Sequence, residues 1–129
     1  MPHLVIEYAP DLAAQVEIAA LCRAAHAAMA ADPLFPLAGI RVRAYPAAAC
    51  VVADGLDENG FVAMTLSVGA GRSKADLQAA GAAIFKAAQQ VLAGPLSGAH
   101  FALSLYIREI DPDLSWKDNP IHARLKGKL

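Results

Sequence analysis

The chain has 129 residues, a formal net charge of −1, 18% charged residues and 57% hydrophobic residues, much of the last being alanine. This fits one domain built on a single core with little area to spare. Near-neutrality with only 6% aromatic residues excludes a generic polyanion binder and a stacking platform for nucleic-acid bases. No apolar run reaches membrane length, and no charged segment followed by an apolar one opens the chain, so a cytoplasmic protein with no membrane or nucleic-acid partner is expected.

In chain order, His3 to Tyr8 reads as a strand with apolar residues on both faces, followed by a turn at Pro10-Asp11. From Leu12 to about Ala31 an alanine-rich stretch carries Ile18, Leu21, Cys22, Ala25 and Met29 at helical spacing, and Pro33 and Pro36 end it. Ile40 to Tyr45 alternates apolar and charged residues as a second strand, and residues 46–60 form a loop or small hairpin with Asp57-Glu-Asn-Gly60 exposed.

The same order then returns. Phe61 to Val68 reads as a strand, and Ser73 with Asp76 three residues on resembles a capping box. The helix that follows shows one apolar face, Leu77, Ala80, Gly81, Ile84, Phe85, Ala88, Val91 and Leu92, and stops at Gly94-Pro95. Phe101 to Ile107 is a last alternating strand. A shift of about 62 residues lays strand on strand and helix on helix. The predicted fold is α+β: two consecutive β-α-β units, about 1–45 and 61–110, in a single domain over 1–129. They form a four-stranded sheet with two helices on one face and right-handed crossovers that make the joined strands parallel. Residues 111–129 follow as a mildly basic tail carrying Lys117, Arg124, Lys126 and Lys128.

Most common sites are excluded by pattern. Gly69-x-Gly71 lacks the third glycine of a dinucleotide fingerprint and the Gly-Lys-Ser/Thr of a P-loop, so it reads as a turn with a helix cap. His3, His26, His100 and His122 never fall at metal-ligand spacing, and Cys22 and Cys50 form no CxxC, so no metal is expected. Glu7, the one acid of the first strand, reads as a salt-bridge or edge residue.

Three arginines remain. Arg41 and Arg43, two apart in a strand, share a face opposite Ile40 and Val42. Arg72 stands at the mouth of the second helix, where free amides already favour an anion. Each has a plain reading as solvated charge; together they suit a substrate with several carboxylates. Pro2 is ordinary as a second residue, but its small side chain permits removal of Met1. The exposed secondary amine would titrate near ~8 or below beside cations, within range of a general base.

The opening Met1-Pro-His-Leu-Val-Ile-Glu-Tyr8, then Phe35-Pro-Leu-Ala-Gly-Ile-Arg41-Val-Arg43, Gly69-Ala-Gly-Arg72-Ser73 and Asp113-Leu-Ser-Trp-Lys-Asp-Asn-Pro-Ile-His122-Ala123, in this order, resemble the 5-carboxymethyl-2-hydroxymuconate isomerases of the tautomerase superfamily. The resemblance runs over nearly the whole chain. It implies the fold just read, a homotrimer with residues 111–129 at the subunit boundary, and no organic or metal cofactor. It also implies a cofactor-independent isomerase acting in homoprotocatechuate breakdown. Pro2 would be the acid/base group that moves a proton along a 2-hydroxymuconate-type substrate, and Arg41, Arg43 and Arg72 would bind carboxylates and stabilise the dienolate. Two other readings stand beside it: another tautomerase-superfamily activity on a smaller 2-oxo acid enol, and a non-catalytic oligomeric protein that binds a small molecule.

Overall fold

Alternation decides the first element. In β1 (His3–Tyr8) the side chains of Leu4, Ile6 and Tyr8 are buried, while His3, Val5 and Glu7 point to the other face of the pleat. The computed structural model describes residues 2–127; Met1, Lys128 and Leu129 lie outside the described residues. After β1 the chain makes a 3-10 turn, Pro10–Ala14, that buries Leu12. Helix α1 (Ile18–Ala30) turns Leu21, Ala25 and Met29 into the core. It starts six residues later than the sequence pattern predicts. The backbone N–H groups of Gln15 and Val16 both donate to the Leu12 carbonyl, at 2.9 and 3.0 Å, closing the turn, and Glu17 is extended at φ −74° and ψ 110°.

β2 (Arg41–Pro46) places Val42 and Ala44 against the core and Arg41, Arg43 and Tyr45 on the opposite face. The stretch from 47 to 59 contains no strand; Asn59 Nδ2 donates to the Val52 carbonyl at 3.0 Å and to Asp54 Oδ1 at 2.6 Å, which pins it as a loop. β3 (Gly60–Gly69) buries Val62, Met64, Leu66 and Val68. Helix α2 (Lys74–Val91) begins as its cap pattern predicts, with Ser73 Oγ accepting from the Asp76 N–H at 3.1 Å. It does not end cleanly at Gly94-Pro95. Leu92 breaks it at φ −95° and ψ 16°, and both residues lie inside a short further turn, α3 (Ala93–Leu96). Pro95 is the third residue of that turn, where a helix has no partner for an N–H, so its ring costs nothing there. β4 (Phe101–Ile110) packs Leu103, Leu105 and Ile107 under α2.

The sheet order is β2-β1-β3-β4, with β1 parallel to β2, β3 parallel to β4, and β1 antiparallel to β3. The two helices lie side by side on one face and enclose the core. This is the predicted pair of β-α-β units, joined through the two first strands. Glu7 is neither an edge residue nor ion-paired among the described residues: β1 is a central strand, and Glu7 is exposed on its open face between Tyr45 and Ala63.

The tail folds as a 3-10 turn, Pro112–Leu114, an extended stretch and helix α4 (Pro120–Gly127), which packs against the Leu37–Gly39 turn. Asn119 Nδ2 donates to the Ala38 carbonyl at 3.1 Å. The segment is therefore docked on its own subunit rather than a free solvated tail.

Candidate active site

Because β1 and β3 run in opposite directions, one end of the sheet collects the starts of β1 and β2 and the ends of β3 and β4. Register there places Arg41, His3, Ser67 and Arg108 in one transverse row, one residue from each strand. Three strand steps of roughly 4.8 Å span about 14 Å. The row lies on the open face and forms the floor of a groove of about 970 Å3. The tail, from Pro112 through Trp116 to His122, supplies one wall, and Pro36, Gly39, Gly69, Ala70 and Arg72 complete the lining.

The sequence-predicted arginines come together here: Arg41, Arg43 and Arg72 all line the groove. Arg41 Nη1 donates to the carbonyls of Ala38 at 2.8 Å and Ile40 at 3.1 Å. Arg43 Nη1 approaches His3 Nδ1 at 3.2 Å. Arg72 donates from Nε and Nη2 to the Leu34 carbonyl, both at 3.3 Å, and from Nη1 to the Gly69 carbonyl at 3.0 Å, with its Cζ 6.0 Å from the centre of the Phe35 ring. Gly71, with φ 115°, takes a backbone shape that suits glycine and turns the chain so that Arg72 faces the Leu34 loop. Arg41 and Arg72 thus also tie backbone carbonyls together. A guanidinium has five donor hydrogens, so both keep donors for a ligand.

Pro2 stands at the head of β1. Its ring is buried, its carbonyl accepts from the Arg41 N–H at 3.0 Å, and it does not line the groove, whereas its neighbour His3 does. Met1, on which the freedom of the Pro2 nitrogen depends, lies outside the described residues.

Sequence reasoning missed Arg108, whose Nε donates to Ser67 Oγ at 2.9 Å, and it left Trp116, Lys117 and Asn119 outside the site. The alternation of β4 puts Arg108 on the open face; what brings it opposite Arg41 is the antiparallel pairing of β1 with β3, which no local pattern signals. Among the described residues, Arg41, Arg43, Arg72, Arg108 and Lys117 line the groove with one carboxylate, Asp118. Burial, then Arg43, then Arg41 push the His3 pKa below its ordinary value. A groove so charged attracts polycarboxylates and stabilises negative charge that grows inside it.

A second concavity of about 820 Å3 lies at the other end of the sheet, between the 50–60 loop and the starts of β3 and β4. Among the described residues its lining includes Asp11, Asp57 and Glu58 and neither Lys nor Arg, so it repels the anion that the first groove attracts.

Paired β-α-β units on a four-stranded sheet, with a cationic groove at the end where β1 begins, define an α+β protein with an anion-attracting site at one end of its sheet. A profile of the 5-carboxymethyl-2-hydroxymuconate isomerases matches residues 2–125, and the chain belongs to that family. It is 35% identical over 126 residues to the 5-carboxymethyl-2-hydroxymuconate Delta-isomerase of Escherichia coli, covering 98% of this chain and 100% of that one. The crystal structure of a 5-carboxymethyl-2-hydroxymuconate isomerase from Deinococcus radiodurans R1 superposes with a TM-score of 0.90 at 34% identity, covering 96% of this chain and 93% of that one. A more distant likeness, at 17% identity and a TM-score of 0.70 over 95% of this chain and 98% of the other, is a fused 4-OT asymmetric trimer; it supports the fold alone.

Proposed function

We propose that the chain is a cofactor-independent isomerase of 5-carboxymethyl-2-hydroxymuconate, with the amine of Pro2, freed by removal of Met1, as its acid/base group. The observation that carries this reading is the convergence of Arg41, Arg43, Arg72 and Arg108 on one groove beside the head of β1, in a chain of this family. The substrate carries three carboxylates and an enol. Arg41, Arg43 and Arg72 hold the carboxylates, each guanidinium offering a fork that matches a carboxylate. Pro2 accepts the proton of the 2-hydroxyl, the electron pair moves along the conjugated chain, and the same proton returns at a carbon further along. The charge on the intermediate dienolate falls among fixed cations, which lowers the barrier without reorganisation.

With Met1 attached the Pro2 nitrogen is a tertiary amide, with neither a basic lone pair nor an N–H. Processing is therefore part of the activity. Cys22 and Cys50 are both unpaired, which suits a reducing cytoplasm, and the working assembly is a homotrimer that covers the open sheet face. No helix among the described residues is long and apolar enough to cross a membrane.

An ultraviolet assay over a short panel tests the substrate class. Turnover of 5-carboxymethyl-2-hydroxymuconate should exceed that of 2-hydroxymuconate, and both should exceed that of a monocarboxylate such as an arylpyruvate enol. Preference for the monocarboxylate would move the chain to another superfamily activity; no turnover at all would leave a binding protein.

A further inference from the structure

His3 has one ring nitrogen engaged and one free. Arg43 Nη1 is 3.2 Å from Nδ1, and a guanidinium can only donate, so Nδ1 must present its lone pair. The ring proton is then on Nε2, which has no protein partner among the described residues. Adding a second proton would place an N–H on Nδ1 against the Arg43 cation. Among the described residues, the other charged or titratable groups of the groove are Arg41, Arg72, Arg108, Lys117, Asp118 and His122, one carboxylate among several cations, so little there favours an imidazolium. Burial and the two β2 arginines lower its pKa, in agreement with this geometry. His3 lines the groove at the centre of its floor, between Arg41 and Ser67 in the row.

We propose that His3 is a further catalytic residue of this isomerisation: a neutral imidazole, fixed by Arg43 in the Nε2–H form, that donates a hydrogen bond to the substrate's 2-oxygen as charge builds there. The inference rests on the reaction proposed above. Its chemistry follows from what the oxygen must avoid. As the 2-hydroxyl O–H bond breaks, the proton goes to the base and the electron pair stays on oxygen and along the chain; the C=O bond forms when that proton is delivered to carbon. An imidazolium beside the oxygen would return a proton to it and regenerate the enol. A neutral imidazole is a far weaker acid, holds the oxyanion by a hydrogen bond, and keeps its own proton throughout. The neighbouring arginine thus does two things: it sets the tautomer, and it keeps the ring from charging.

Long-range proton–nitrogen correlation spectra of the 15N-labelled processed protein at pH 7, without and with cis,cis-muconate as a non-reacting dicarboxylate probe, test the tautomer and the contact. Steady-state kinetics of His3→Gln and His3→Leu test the role. Glutamine can accept from Arg43 through its oxygen and donate into the groove through its nitrogen; leucine can do neither. The expected results are an Nε2–H tautomer, a muconate-induced shift at Nε2, kcat of His3→Gln within about threefold of the parent, and kcat of His3→Leu down by about 10-fold or more with KM moved less. An Nδ1–H or doubly protonated ring, no response to muconate, an inactive His3→Gln beside its folded spectrum, or full activity in His3→Leu would each overturn the proposal. If the parent does not isomerise 5-carboxymethyl-2-hydroxymuconate, the reaction assignment fails, while the spectra still judge tautomer and contact on their own.

Discussion

At Arg72 every guanidinium nitrogen donates to a backbone carbonyl: Nε and Nη2 to Leu34, Nη1 to Gly69. These bonds link the Leu34 loop to the end of β3, two walls of one groove, so the residue shapes the site as well as charging it. Hydrogen bonds from a charged donor contribute about 1.5–3 kcal/mol each at best, and half-exposed ones less. Arg72→Ala is therefore expected to lose about 1–3 kcal/mol of stability, several degrees in melting temperature, together with at least ~10-fold in kcat/KM. Thermal scans beside steady-state assays check it; an unchanged melting temperature would mean that the three bonds contribute nothing net. Arg72 was legible as a candidate for the groove from its place before a helix cap. Its tie to Leu34 was not, because those residues meet only through tertiary packing. The same limit hid Arg108: its own strand shows an ordinary alternation, and its partner Ser67 is 41 positions away.

Among the elements, the strands and α2 were readable because their apolar periods agree with their burial and because Ser73 caps with Asp76 as its spacing says. The start of α1 was not readable: Leu12 to Glu17 contains no Gly or Pro, and the break is made by burying Leu12 in a separate turn. Inward alternation takes Val62, Met64, Leu66 and Val68 to the core, and the outward set is Phe61, Ala63, Thr65 and Ser67 on β3 with Ala102, Ser104, Tyr106, Arg108 and Ile110 on β4. The closest helix–strand contact has a testable consequence. A Cβ on Gly81 of α2 would lie 3.0 Å from Ile107 Cδ1, the flexible end of a side chain on β4. Gly81→Ala should be close to neutral, since about 0.8–1 kcal/mol of helix propensity offsets a small shift of Ile107. Gly81→Leu should cost about 1–3 kcal/mol through overpacking. Denaturant unfolding of the two variants separates them; a tolerated leucine would contradict the close approach of α2 to β4.

For the molecule as a whole, the helices cover one sheet face and leave the other open, bordered by Tyr45 at 51%, Tyr106 at 70% and Trp116 at 86% exposure. Small and hydroxyl residues in the middle with aromatic residues around them form a surface that a second sheet can approach closely, and closed cyclic symmetry would cover all copies at once. Sedimentation equilibrium at micromolar concentration is expected to give a trimer, and Trp116→Asp to weaken it; a stable monomer in the parent would contradict the assembly. The central claim is that the Pro2 amine moves the proton. The measurement that tests it most directly is kcat on 5-carboxymethyl-2-hydroxymuconate for three preparations verified by intact mass: the chain with Met1, the chain without it, and a Pro2→Ala variant. The account predicts that the processed chain is at least ~100-fold faster than the chain bearing Met1, the usual worth of general acid–base catalysis, with Pro2→Ala well below it. Equal rates with and without Met1 would contradict the account and remove Pro2 from the mechanism.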